Sequence, residues 1–358
     1  MPSILIVKTS SIGDVVQALS VLSYLHSKWS EVEIDWVVEK SLQPLLEAIP
    51  LIRTVHIIDT KQWRRKPWQR ATFKAMADTL KKLRRKKYDY LFDLQGNLKS
   101  ACITAFCRAE HKIGFGAASV QERGNLLATK VRIDPPLELN MVERYLYVLK
   151  HYFKDAEAQI GPIPIQLQPQ DEAQRQLLKP EKDQLRIMVC FGSKWPNKRL
   201  TDATLTQLIT QLFTRFNPHF CFIYSHAEEK RLAGQLNQAC GGAQTLLGGL
   251  SLPLWAKLMQ DMDLVLTMDS AALHLCALVG GRSFSFFGPS AAKVYKPSGR
   301  EHGFYQGTCP YGQTFDKRCP KLRTCATGAC LREAKSVELV NAVDLFLSEH
   351  FEMVLKRT

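Results

Sequence analysis

Short apolar runs alternate along the chain with longer segments of helical period, the pattern of βαβ units that build a parallel sheet. In the first half, ILIV (4–7), IDWVV (34–38), VHIID (55–59) and YDYLFDL (88–94) read as strands, with helices over 14–28, 41–48 and 70–86. Val15, Ala18, Leu19, Leu22 and Leu25 fall at helical spacing in the first of these helices. The alternation pauses over 134–180, where NMVERYLYVLKHYF reads as a helix and the Pro- and Gln-rich GPIPIQLQPQ as a linker. It restarts with LRIMVCF (185–191), a helix from Thr201 to Phe216, HFCFIYS (219–225), a helix near 227–238, DLVLTM (263–268) and RSFSFF (282–287). The expectation is an α/β chain of two Rossmann-like domains facing each other across a cleft. The first covers 1–160, a linker 161–180, the second 181–335, and a C-terminal helix 336–358.

In a doubly wound sheet, ligands bind beyond the carboxyl ends of the strands, where loops lead into helix N-termini. The unusual polar and glycine residues fall at those ends: TSSIGD after ILIVK, QGNLKS after YLFDL, GSKWPNKR after MVCF, MDSAALH after LVLT, and GPS after SFSFF. One such coincidence is ordinary turn chemistry, because a βα turn needs glycine and an N-cap. Five of them shared between two domains predict a ligand cleft. SSIGD has one glycine where the dinucleotide fingerprint needs three, and no Walker A lysine motif is present, which disfavours a nicotinamide or flavin enzyme. Asp14, with Ser10, Ser11 and Gly13 beside it, is either a first-turn acid satisfying the helix dipole or a general base aimed into the cleft. Lys194, Lys198 and Arg199 precede a helix that Thr201 or Asp202 caps; a cationic loop with exposed backbone N–H groups suits a diphosphate.

Length and composition agree with this picture. A chain of 358 residues with 46% apolar and 23% charged residues has the makings of two buried cores. No signal-peptide core and no run of roughly 18 apolar residues is present, so a cytoplasmic protein is expected. Six of the ten cysteines, Cys102, Cys107, Cys190, Cys221, Cys240 and Cys276, lie in apolar segments and read as small core residues. The net charge of +14 is local: 16 Lys and Arg stand against 5 Asp and Glu between Leu51 and Lys112. KQWRRKPWQR (61–70) and KKLRRKK (81–87) suit a polyanion such as nucleic acid, an anionic membrane or a phosphorylated lipid, or else form a solvated helix face.

KTSSIGDVVQALSVLSYL, LFDLQGNLKSA, IGFGAASVQERGNLLA, MVERYLYVL, FGSKWPNKR, LSLPLWAKLMQDMDLVLTMDSAALHLCAL and FFGPS resemble, in order, the motifs of the ADP-heptose:lipopolysaccharide heptosyltransferases, glycosyltransferase family 9. They span about residues 3–290; VQERGNLLA and the VER of residues 142–144 resemble the members that add the first heptose to the 3-deoxy-octulosonic acid of lipid A. The resemblance implies the GT-B fold, with acceptor bound by the N-terminal domain and ADP-heptose by the C-terminal one. It also implies inversion at the anomeric carbon with no metal or other cofactor. Asp14 matches the family's base and Lys198 the lysine that steadies the leaving diphosphate. Asp269, Ser270, Ala271 and His274 match the stretch that holds sugar and diphosphate, Ser193 a hydroxyl residue near the phosphates, and either Glu228 or Glu229 a ribose-binding glutamate. Ser10, Ser11, Gly13, Gln95, Gly96, Lys194 and Gly288 complete the expected substrate contacts. Ser270-Ala271 replaces Thr-Gly, Leu200 a tryptophan, and Gly288-Pro289-Ser290 a Gly-Pro-Thr triplet; Ala271 lacks glycine's freedom at positive φ.

The expected partners are ADP-heptose, lipid A carrying 3-deoxy-octulosonic acid and the anionic inner face of the cytoplasmic membrane, to which a monomer would bind peripherally. The alternatives are a second-heptose transferase, another GT-B glycosyltransferase, or a nucleic-acid-binding protein. The last lacks any RNP, zinc-finger or KH signature. Asp261-Met262-Asp263 spells a metal-binding DxD but precedes a strand, at the sheet end away from the cleft, and reads as a solvated turn. Cys309, Cys319, Cys325 and Cys330 lack paired CxxC spacing and read as free thiols rather than a zinc or iron site.

Overall fold

The computed structural model of the chain describes residues 1–65, 68–155, 160–178 and 184–350. They fall into two compact units, Met1–Gln168 and Pro169–Thr358. The first holds β1 (Ser3–Val7), β2 (Glu33–Glu39), β3 (Thr54–Ile58), β4 (Lys87–Asp93), β5 (Arg108–Phe115) and β6 (Val131–Ile133), in the order β3-β2-β1-β4-β5-β6. The second holds β7 (Arg186–Cys190), β8 (His219–Tyr224), β9 (Thr245–Gly248), β10 (Leu264–Met268), β11 (Ser283–Phe287) and β12 (His302–Gln306), in the order β12-β11-β10-β7-β8-β9. All neighbours are parallel, and each sheet has the doubly wound strand order. The order reverses between β1 and β4 in the first sheet and between β7 and β10 in the second, the crevices where such sheets bind ligands.

Helices cover both faces of a parallel sheet, so its central strands are buried on both sides and read as unbroken apolar runs. Ile4–Val7 and Leu264–Met268 are buried throughout. Strands at the sheet edges, and β5 beside the edge strand β6, obey no such rule. β5, with RAEHK at its start, is half exposed, β6 and β9 are short, and β12 (HGFYQ) carries no β-branched residue, so none of the four stands out in the sequence.

Three boundaries differ from expectation. The helix predicted over 14–28 is two, Ile12–Ala18 and Val21–Lys28; the chain stays right-handed at Leu19 and Ser20, but the Leu22 amide turns to the Leu19 carbonyl, a tighter turn that breaks the register. The supposed linker is largely committed: Ile163 and Ile165 are buried and the Gln166 amide bonds the Ala48 carbonyl, while Pro169–Leu177 is a helix of the second unit. The C-terminal helix, Ser336–His350, plants Leu339, Val343 and Leu347 in the second core; 351–358 lie outside the described residues. Cys102 is exposed rather than a core residue, since it lies on the outer face of the Leu98–Phe106 helix. No described helix is long and apolar enough to cross a membrane.

Candidate functional site

In the first unit the loop after β1 is built on the loop after β4. Asp93, fully buried at the end of β4, accepts the amides of Gln95 and Gly96 at 3.0 Å each, the Thr104 hydroxyl at 3.2 Å and the Asn125 amide at 2.6 Å. Gln95 then presents its Oε1 to the amides of Thr9 and Ser10 at 3.0 and 3.1 Å, crossing the switch point. Gly96 sits at φ +72, where a side chain would be strained. Gln95 and Gly96 are therefore the scaffold of the Ser10–Asp14 loop. Asp14 Oδ2 accepts the Ser11 amide at 3.1 Å and the Ser11 hydroxyl at 2.5 Å, which fixes the carboxylate in the first turn of Ile12–Ala18. The dipole role and a catalytic role are thus compatible. Gly13, beside it, is half-buried within the same turn.

In the second unit Lys198 and Asp269 meet at the other switch point. Lys198, in the 3-10 turn Pro196–Lys198 after β7, donates to Asp269 Oδ2 at 2.5 Å, and Ser290, after β11, donates to the same oxygen. Burial would push the Asp269 carboxyl up, but the charge and hydrogen bond of Lys198, the Ser290 hydroxyl and the nearby His274 outweigh it and hold the group below the usual carboxylate range. Ser270 caps the Ala271–Leu278 helix through the Ala272 amide at 3.3 Å, so the positive end of that helix lies next to the pair. Ala271 is the first residue of this helix and is not among the described residues at positive φ, so losing the family's glycine costs the backbone nothing. Gly288 is needed for packing: a Cβ there would stand 3.0 Å from Leu331 and 3.2 Å from Cys330.

Beside β7 a cavity of about 380 Å³ is lined by Phe191, Leu200, Met268, Arg199, His226, Glu228 and Glu229, among others. The two glutamates differ. Glu229 is buried against Gly192 and accepts the Ser225 amide and hydroxyl at 2.8 and 2.7 Å, whereas Glu228 is exposed on the cavity wall with no protein partner among the described residues. Arg199 is spent partly on the Ser193 carbonyl, 2.6 Å from its Nε; Ser193 itself is buried, and Lys194 is exposed.

The DxD pair is not a solvated turn. Arg175 clamps Asp261 at 2.6 and 2.7 Å and Arg186 clamps Asp263 at 3.1 Å, at the N-terminal end of β10 and away from the switch point. Cys309, Cys319, Cys325 and Cys330 are half-buried free thiols, and no three ligating side chains among the described residues form a metal group. Lys8, Asp93, Asn125 and Arg144 escaped the sequence reading. Asp93 ends a strand run and Lys8 follows one directly, which is the signal that was there to use.

Known proteins resemble the chain in sequence and in fold. The model of glycosyltransferase family 9 (heptosyltransferase) matches residues 76–324. Lipopolysaccharide heptosyltransferase 1 of Pseudomonas aeruginosa is 25% identical over 318 residues, covering 88% of this chain and 87% of the relative. Lipooligosaccharide heptosyltransferase 2 of Haemophilus influenzae is 23% identical over 313 residues, 82% and 86% of the two chains. The E. coli heptosyltransferase WaaC solved with ADP superposes with a TM-score of 0.76 at 20% identity, covering 97% of this chain and 99% of that one, and so shares the two-unit α/β fold of the GT-B class. The chain belongs to glycosyltransferase family 9, the heptosyltransferases.

Proposed function

We propose that the protein transfers heptose from ADP-heptose to the 3-deoxy-octulosonic acid of a lipid A precursor, the first heptose of the lipopolysaccharide core, in a single inverting displacement that needs no metal. The observation that carries this is the buried Lys198–Asp269–Ser290 cluster at the N-terminus of the Ala271–Leu278 helix. A lysine with further donors and a positive helix end supply the charge a departing diphosphate needs. The DxD carboxylates, each clamped by an arginine, are poorly placed to compete for a metal.

Asp14 takes the proton of the acceptor hydroxyl as that oxygen attacks the anomeric carbon. The bond from that carbon to the diphosphate breaks, its electrons leave with ADP, and one in-line displacement inverts the centre. The cavity beside β7 takes the nucleoside, with Phe191 and Met268 against the base and Glu228, rather than the committed Glu229, on the ribose. Asp14→Asn should lower kcat by roughly 10²–10⁴ with ADP affinity intact, since only proton removal is lost. A kcat within a few-fold of the parent would leave Asp14 as a helix-cap residue.

The membrane partner is part of the same proposal. The Arg70–Arg85 helix buries only Thr72 and Leu83, so its cations face outward, and Trp68 is 88% exposed beside Phe73 and Met76. Cations mixed with an exposed indole suit an anionic lipid surface. Lys86 is withdrawn from this surface by Glu33 at 2.5 Å, and Lys66 lies outside the described residues.

A further inference from the structure

Lys8 is a buried cation whose ammonium has no hydrogen-bond partner among the described residues. It follows β1 directly, at the switch point of the first sheet and one turn of loop before Asp14, and it is 4% exposed. Its carbonyl accepts the Trp36 indole N–H at 3.0 Å, which fixes the backbone. Its ammonium lies 5.0 Å from the centre of the buried Tyr145 ring, and among the described residues it has no hydrogen-bond acceptor and no ion pair. Burial pushes the group below the ordinary lysine range, while Asp14 and Asp93 oppose this from beyond contact distance. Arg144, next to Tyr145 on the Met141–Phe153 helix, is also buried, at 7% exposure, with no partner for its guanidinium among the described residues.

Such groups are expensive. Burying an ammonium is costly, and an aromatic face returns only part of that cost. The side-chain polar atoms sealed from solvent without a partner, among the described residues, are those of Asn125, Thr129, Asn197 and Trp255. The Lys8 and Arg144 nitrogens are not among these, although both residues are buried. Three unused donors on a fixed cation suit an anion that arrives with the substrate.

We propose that Lys8 binds an anionic group of the acceptor, the carboxylate of its acidic sugar, and so orients the attacking hydroxyl toward Asp14. This rests on the acceptor reading above and adds a determinant to it: the site selects a sugar acid over a neutral sugar. A lipid phosphate offers the same chemistry, and the test separates the two.

The experiment is a cycle in two dimensions. Lys8→Met, nearly isosteric, is compared with the parent on lipid A bearing 3-deoxy-octulosonic acid, on the same acceptor with the carboxylate converted to its amide, and on the dephosphorylated acceptor. With the native acceptor, Lys8→Met should raise KM for the acceptor about 10- to 100-fold, the size of one charged hydrogen bond, with KM for ADP-heptose unchanged. On the amide the variant and the parent should agree within about three-fold, while on the dephosphorylated acceptor the full difference should persist. An unchanged acceptor KM, or an equal penalty on native and amide acceptors, overturns the proposal. A penalty that disappears on the dephosphorylated acceptor assigns Lys8 to phosphate and overturns the carboxylate. If Lys8→Met does not fold, the parent alone decides: its KM should rise about as much on the amide, and no rise refutes the inference. Asp14→Asn reads in kcat rather than acceptor KM, so failure of the base assignment is told apart from failure of this one.

Discussion

Removing Lys198 should cost the protein both stability and donor affinity, and the two losses can be separated. Lys198→Met leaves the Asp269 carboxylate, whose side chain is 7% exposed, with the Ser290 hydroxyl and the nearby His274 but without its ion-pair partner. Breaking a buried ion pair from one side costs about 3–5 kcal/mol, because the abandoned charge has lost its water as well as its partner. At about 2–4 °C per kcal/mol for a unit of this size, the melting temperature should fall by roughly 6–20 °C. The double variant Lys198→Met/Asp269→Asn leaves no uncompensated charge and should recover most of that loss. It should not recover function: ADP affinity should stay about 10- to 150-fold down in single and double variants alike, the range of a charged hydrogen bond. Thermal melts and calorimetric titration with ADP read the two effects on the same samples. A double variant as unstable as the single one would refute the ion-pair account, and unchanged ADP affinity would refute the diphosphate role.

The two cavity glutamates should part ways: Glu228→Ala weakens ADP binding at unchanged melting temperature, whereas Glu229→Ala lowers the melting temperature by releasing Ser225; equal behaviour by calorimetry and melts would contradict the assignment. Burial, with Lys296 and His274 adding to it, depresses His302 to about 4. The unfolded chain then binds the proton first, so stability is complete above about pH 6.5 and falls toward pH 4, by up to about 3 kcal/mol. Melts of His302→Gln should lose that slope; an unchanged slope would assign it elsewhere. Replacing Arg64, Arg65, Arg84 and Arg85 by Gln should weaken binding to anionic vesicles, by about 1 kcal/mol per charge at most, and raise acceptor KM without touching donor KM. Parental values of both in low salt would leave these residues as a solvated face.

The parts legible in the sequence were those with a local cause. Central strands announce themselves because both faces are buried, and Asp14, Lys198 and Asp269 stand out because each polar residue follows such a run. β5, an interior strand next to the edge strand β6, did not, since the first part of it meets water and its charges interrupt the run. The 161–168 segment looked like a linker from its Pro and Gln, yet two isoleucines, Ile163 and Ile165, are enough to bind it to the first core. Glu228 and Glu229 are equivalent as letters, and only the turn that spends one of them on Ser225 separates them. Lys8 follows β1 directly, a position the sequence does show, but that its ammonium has no hydrogen-bond partner among the described residues is a property of the folded chain, as it is for Arg144.

The account stands most directly on one incubation. The protein is mixed with ADP-heptose and lipid A bearing 3-deoxy-octulosonic acid, with a chelator present, and the lipid is weighed by mass spectrometry. A gain of a single heptose, undiminished by the chelator, is the predicted result. No gain on this acceptor, with transfer instead to an acceptor that already carries one heptose, would contradict it and assign the chain to the second addition.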